Sequence, residues 1–424
     1  MSIEKLGTIF FFIALIHCFS VTVFAKLAHR FQKDSAAEAF FHLMSEVEIV
    51  FGFWAFILLV SWFFIEGADA VIKHQQSLNM TEPLFIFCIM ILASTRPIIT
   101  VARIAILKVS NFLAKIIPVD SKLIQFFVLL SLGPLLGSLI TEPAAITLVA
   151  LLLYRMIPDN ISENFLYAIL ALLFVNISIG GGLTHFAAPP ILIVASVWGW
   201  SLKDVFISLG EPVLLAVFLN ITLFVLIFKN KIKSELKIIE ADHYPMPFWV
   251  MLSHILFLAL IVATGHHPQV FMGLFLIFIG LTTVTKNYQD GLKFKEGLLV
   301  AFFLGGLIVF GPFQRWWLEP ILTALNQKTL YFAATALTGI TDNAALTYLG
   351  SQVPSLSELS KWALVSGAIS GGGLSILANA PNPAGFAILS SKFPDKSLNA
   401  FKLFLAAAPL TIIVMICFLM IGHF

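Results

Sequence analysis

The sequence predicts an all-α polytopic membrane protein built from two halves that repeat one motif in opposite orientation. Three observations lead there. Hydrophobic residues make up 59% of the 424 positions and charged residues 11%, against roughly 45–50% and 25% in soluble domains. Apolar runs of the ~20 residues that a helix needs to cross hydrocarbon recur along the chain. Two polar interruptions, "TEPAAIT" at 141–147 and "TDNAALT" at 341–347, answer one another across the two halves.

Full spans are expected near 6–28, 45–65, 83–107, 164–200, 205–228, 248–264, 269–285, 296–311, 361–390 and 401–422. The first has only Lys5, offset by Glu4, before it, and it exceeds the ~7–15 apolar residues of a secretory signal, so it reads as a true span. Cys18, Cys88 and Cys417 lie far apart inside apolar runs, a spacing that suggests helix packing and neither a zinc site nor a disulfide framework. The net charge of +2 gives no reason to expect a nucleic-acid partner.

Two of these spans, 164–200 and 361–390, are too long for one straight helix and carry "GGGLTHFAAPP" (180–190) and "GGGLSILANAPNP" (371–383). Two further apolar stretches, around 123–155 and 329–350, remain. The arms of the second, Thr329–Ile340 and Ala344–Gly350, hold 12 and 7 residues; at 1.5 Å per residue even the longer covers only ~18 Å of a ~30 Å core. Re-entrant helical hairpins are therefore expected at both places. Irregular backbone at membrane depth survives only where protein or a wet cavity surrounds it.

Lysine and arginine set the orientation. With each hairpin returning to its own side, seventeen fall on one face, including Lys26, Arg103, Lys122, Lys233, Lys295 and Lys402, and five on the other: Lys73, Lys203, Arg315, Lys328 and Lys361. The first face is expected to be cytoplasmic, in the cell inner membrane, with the N-terminus outside. The hairpins then enter from opposite sides, the arrangement of inverted-repeat transporters whose interrupted helices meet near the midplane. The expected organisation is a first half, 1–228, with extra N-terminal spans and the first repeat; a cytoplasmic linker, 229–247; and a second repeat, 248–424. The lysine-rich linker suits a surface facing lipid headgroups.

The four breaks together make the candidate site. Glu142 and Asp342 supply carboxylates, Thr141, Thr147, Thr341 and Thr347 hydroxyls, and Asn343, Asn379 and Asn382 amides. Gly180, Gly181, Gly182 and Gly371, Gly372, Gly373 allow backbone carbonyls to turn toward a ligand. Hard oxygens of this kind suit a small alkali cation, with sodium expected at Glu142, Asp342 and Asn343. The competing reading makes Glu142 and Asp342 ordinary helix caps. Two such acids in opposed hairpins weigh against it, since each charge costs ~2.5–3.5 kcal/mol in mid-membrane. His185 either carries a proton or packs through a hydrogen bond. Arg96 either serves as counter-ion or reaches the surface to an acid. "TEP" at 81–83 reads as an interface cap, and Glu46, Glu48 and Glu296 as interfacial. No Walker loop, zincin pattern or nucleophile elbow is present; neither an enzyme nor a cofactor is expected, and transport would draw on an ion gradient.

At the hairpin and triple-glycine motifs the sequence resembles the ion-transporter superfamily, and is most similar to a sodium/proton antiporter branch related to the D-type antiporters. The resemblance covers both halves. It implies a mobile transport domain, a dimeric scaffold and elevator-like alternating access, with Thr141-Glu142-Pro143 and Thr341-Asp342-Asn343 at the hairpin tips and the glycine triplets opening unwound segments. Dicarboxylate carriers of the superfamily bear Ser-Asn-Thr at both tips. Two acids here would repel an anionic substrate. The expected activity is exchange of sodium (or lithium) for protons, with Glu142 and Asp342 as the exchanging acids. The alternatives are a sodium-coupled symporter of a small organic anion and, less in keeping with short loops, the channel subunit of an ATP-driven oxyanion pump.

Overall fold

The structure, a computed structural model, describes residues 2–239 and 246–422. Every regular element among them is a helix. α1 (Ile3–Ala28) starts where the Ser2 hydroxyl accepts from the Lys5 amide, and α2 (Ala36–Leu43) is capped by Ser35 in the same way; a small polar residue supplies the acceptor that an exposed helix start lacks. α3 (Val47–Glu66) and α4 (Ala68–Ser77) follow. The span expected over 83–107 is two helices, α5 (Thr81–Ala93) and α6 (Arg96–Ile116). Pro97 divides them, because it has no N–H for the carbonyl one turn back and is tolerated only in a helix's first turn. The cap expected from Thr81 comes instead from Asn79, whose Oδ1 accepts from the Thr81 amide at 3.0 Å.

α7 (Ser121–Ile140) and α8 (Glu142–Met156) meet at Thr141. α9 (Glu163–Gly180) ends at the first triple glycine, passes through a 3₁₀ turn at Gly181–Leu183 and an irregular stretch, and resumes as α10 (Pro189–Trp198). α11 (Leu202–Glu235) opens with a capping box between Ser201 and Asp204 and runs 34 residues, about 51 Å. Its last turns occupy the start of the expected linker, whose residues 240–245 lie outside the described ones. α12 (Phe248–Ala263) and α13 (Pro268–Val284) form a short antiparallel pair, and α14 (Phe294–Phe310) and α15 (Arg315–Ala324) lead to the second half of the motif. There α16 (Gln327–Thr338) and α17 (Asn343–Ser351) flank the second tip, α18 (Glu358–Gly371) stops at the second triple glycine, and α19 (Asn382–Leu389) resumes ten residues later. α20 (Ala400–Ile421) closes the chain's described part. Among the described residues eight helices are long and apolar enough to cross a membrane, against ten full spans expected: α12, α13 and both pieces of the broken span 361–390 are too short, while α7, expected as one arm of the first hairpin, is long enough.

Polar ties at the helix ends show how the chain is threaded. Lys122 Nζ donates to Lys233 O at 2.7 Å, and the Lys237 amide donates to Met156 O at 2.8 Å. The start of α7 and the end of α8 are thus held by one stretch at the end of α11. Ser162 with Glu235, Lys392 with Asp159 and Lys402 with Glu163 gather further ends there. On the opposite side Trp200 stacks on Trp362 at 3.5 Å and Lys361 lies over the Trp198 ring. The broken helix α9–α10 therefore runs from the basic side to the tryptophan side, and α18–α19 runs back.

Two packing groups result. α1, α3, α5, α12, α13 and α14 pack chiefly on one another; α7–α11 pack with α16–α20, and α6 lies along α7 between the groups. Within the second group the exchange is reciprocal: α10 packs on α17 and α19 on α8. In the first, α3 and α14 approach so closely that a Cβ on Gly306 would fall 2.6 Å from Phe51 O, with Phe11, Phe51, Phe303 and Phe310 filling the space around them. Replacing Gly306 by valine should cost about 1–3 kcal/mol of overpacking, read as a lower melting temperature in detergent; an unchanged melting curve would contradict this close helix crossing.

Candidate cation and proton site

The first tip is built around strain. Thr141 has φ 72, a conformation that β-branched residues avoid at a cost of about 1–3 kcal/mol. That turn lets α8 begin directly at Glu142, whose amide donates to Ala187 O in the first break at 3.3 Å. Glu142 is fully buried. Its Oε2 accepts from Asn379 Nδ2, in the second break, at 3.0 Å. Its Oε1 has no partner, nor does the Thr141 hydroxyl.

The second tip is wired differently. Asp342 is extended and caps α17, its Oδ1 accepting from the Ala344 and Ala345 amides at 2.8 and 3.1 Å. The helix therefore starts one residue later, at Asn343, and it is the Asn343 amide that donates to Ala378 O at 3.1 Å. Ala187 and Ala378 each lie six residues after the middle glycine of their triplet. The glycines agree: a Cβ on Gly181 would meet Glu142 Oε1 at 2.6 Å, and one on Gly372 would meet Asn343 Nδ2 at 3.0 Å. So the structural counterpart of Glu142 is Asn343, although the sequences pair it with Asp342.

Asn343 is fully buried with both amide atoms unpartnered, and Asn379 Oδ1 and Asn382 Oδ1 are likewise free and fully buried. Asn382 Nδ2 donates to Gly372 O and Ser375 O at 2.8 and 2.9 Å, which holds the unwound segment in shape. Buried polar atoms are nearly always satisfied, so this collection of unpartnered oxygens, with the Asn343 Nδ2 donor among them, is the candidate ligand site among the described residues. The glycine carbonyls do less than expected: Gly180 O accepts from Ser138 and Gly372 O from Asn382. The triplets serve mainly by leaving room, as Gly373 does against the Val175 backbone.

The hydroxyls of Thr147, Thr341 and Thr347 donate to the carbonyls of Pro143, Leu337 and Asn343, which leaves their oxygen lone pairs unused. His185 is not in the cluster; it lies in a small pocket with Glu82, Phe85 and His266, its ring 6.3 Å from that of His266. Arg96 pairs with Asp290 at 3.2 Å on the surface. Residues the sequence reading passed over include Ser138, which donates to Gly180 O and accepts from the Leu183 amide, and Ser178, which donates to Ile369 O and joins the two broken helices. Ser138 stands three residues before the tip, where a second polar side chain in an apolar run was the available signal.

Asp342 lines a 210 Å³ cavity with Asn379, Glu46 and Glu48, and this shares Glu46, Glu48, Ala380 and Pro383 as wall with a neighbouring 310 Å³ cavity lined also by Pro143, Thr147, Lys295 and Glu296. Asn379 is thus the common wall between Glu142 and Asp342: hydrogen-bonded to one, facing the cavity of the other. Glu46, Glu48 and Glu296, expected to be interfacial, line this vestibule.

Helices that cross a membrane, two of them broken around a buried carboxylate and unpartnered oxygens, define a multi-pass membrane protein of the ion-transporting class. The family described as "Putative Na+/H+ antiporter" matches residues 2–421, and the chain belongs to that family. It is a transporter family, with sodium and protons as the substrates it implies. No curated protein matches the chain.

Because Gly181 has ordinary helical dihedrals, alanine there is unstrained in backbone and acts only through its methyl group on Glu142. Gly181→Ala should leave the folded protein intact by size-exclusion chromatography and lower sodium-dependent activity at least roughly tenfold, as misplaced site groups do. Unaltered activity would contradict the close approach.

Proposed function

We propose that the protein exchanges sodium or lithium for protons at Glu142, with Thr141, Asn343, Asn379 and Asn382 supplying neutral oxygens and Asp342 a second acid at the edge of the site. The observation that carries this reading is the fully buried Glu142 with one oxygen bonded to Asn379 and the other free. A carboxyl group shut off from water is held in either of two neutral arrangements: protonated, or paired with a cation. The two occupants contend for the same oxygens, and exchange follows when the empty charged site does not cross. The first turn of α8 favours the negative form when a cation is present.

In this reading the α7–α8 and α16–α17 pairs are re-entrant hairpins of an inverted repeat, the second packing group carries the site, and the first is a fixed scaffold, dimeric and in the inner membrane with the N-terminus outside. Alternating access is elevator-like. The opposite course of the two broken helices and the reciprocal packing of α10 on α17 and α19 on α8 support it. Anion symport has less support, because the cavity beside Asn379 is lined by Glu46, Glu48 and Asp342, whose charges would repel an anion.

Glu142→Gln should abolish sodium-driven proton movement in everted vesicles, and Asp342→Asn should reduce it. Asn343→Asp, which would place a second acid in the core, should change sodium affinity or stoichiometry. Retained exchange in Glu142→Gln would remove the assignment.

A further inference from the structure

Glu48 belongs to neither tip nor break. It stands in the first turn of α3, in the packing group that does not carry the site, and it faces Asp342 across the 210 Å³ cavity. Neighbouring Glu46 is offset by Lys295 at 3.6 Å; Glu48 has no ion-pair partner among the described residues. The charged groups on the outer part of the vestibule are Lys293, Lys295 and Glu296. Most of the remaining wall is apolar, with Val21, Val47, Val300 and Phe303 among its members. Low-dielectric walls keep the field of two carboxylates from being screened. At the inner end Asn379, fully buried and with Oδ1 unpartnered, lines the same space while its Nδ2 holds Glu142.

We propose that Glu48, Asp342 and Asn379 Oδ1 form an antechamber subsite for a partly hydrated monovalent cation, from which the ion passes to Glu142. This rests on the exchange reading above. The volume admits a cation together with several waters, whereas the core around Glu142 and Asn343 is closed. Asn379 couples the two places: its carbonyl oxygen meets the arriving ion, and its amide nitrogen releases Glu142 Oε2 as the carboxylate takes the ion. Since Glu48 lies on one packing group and Asp342 and Asn379 on the other, the subsite is complete only while the groups sit as they do in this structure. It therefore serves one face of the membrane, the face on which residues 44–46 and 286–295 lie.

The test uses the full chain in right-side-out and inside-out vesicles. Glu48→Gln is expected to raise half-saturating sodium roughly three- to tenfold on that one face, with maximal rate and the value on the other face unchanged within about twofold; Glu48→Asp should restore most of the affinity. Binding of radioactive sodium to the purified protein gives a readout free of turnover: Glu142→Gln should keep weak binding that the Glu48→Gln, Glu142→Gln double variant loses. An unchanged half-saturation, an equal change on both faces, or no residual binding in Glu142→Gln would overturn the subsite. Wild-type vesicles without sodium-driven proton movement would overturn the exchange reading instead, and the binding arm would still decide the subsite.

Discussion

A carboxylate removed from water has to be held by donors, and the core of this protein is arranged around that requirement at Glu142. One donor comes from Asn379, on a different break some two hundred residues along the chain. To bring that amide in, α18 must stop at its triple glycine, the ten residues after it must be fastened by Asn382, and α19 must pack on α8. To leave room for the acid itself, position 181 must lack a side chain. The strained turn at Thr141 places Glu142 in the first helical position, where its own amide joins the hairpin to the first break. Loss of any one of these would misplace the carboxyl group or its donor, and a buried polar group without a hydrogen bond is costly.

The two halves use the same scaffold with different chemistry. In each, the first amide of the hairpin's second helix bonds the carbonyl six residues beyond the middle glycine. One half puts Glu142 at that position and the other puts Asn343. The reason is capping: Asp342 is a good N-cap and takes that role, pushing the helix start one residue on. Thr141 leaves its hydroxyl unbonded, and α8 begins without a side-chain cap. Opposite the amides the same asymmetry holds, since Asn379 corresponds to Ala188 by its offset from the glycines. The core thus contains one acid and a set of neutral oxygens, while the other acid faces the vestibule beside Glu48.

Much of this was legible in the chain. Apolar length and charge gave the membrane class, and the glycine–proline runs located both broken helices. The buried amides at 343, 379 and 382 were all on the page as candidates. The misplacements have physical causes. Pro97 divided a run that hydropathy alone joins. His185 follows the first break in sequence but turns to the outer pocket with His266 and Glu82.

What the sequence by itself determined is which segments are helical, where they break and which polar groups are too costly to be there by chance, because propensity, solvation and backbone restriction act locally. What only the tertiary structure decided is which of two aligned acids enters the core. That choice turns on a one-residue difference in where a helix begins, which the capping habit of Asp342 sets locally, and on an amide brought from the opposite half, which no residue near the acid encodes.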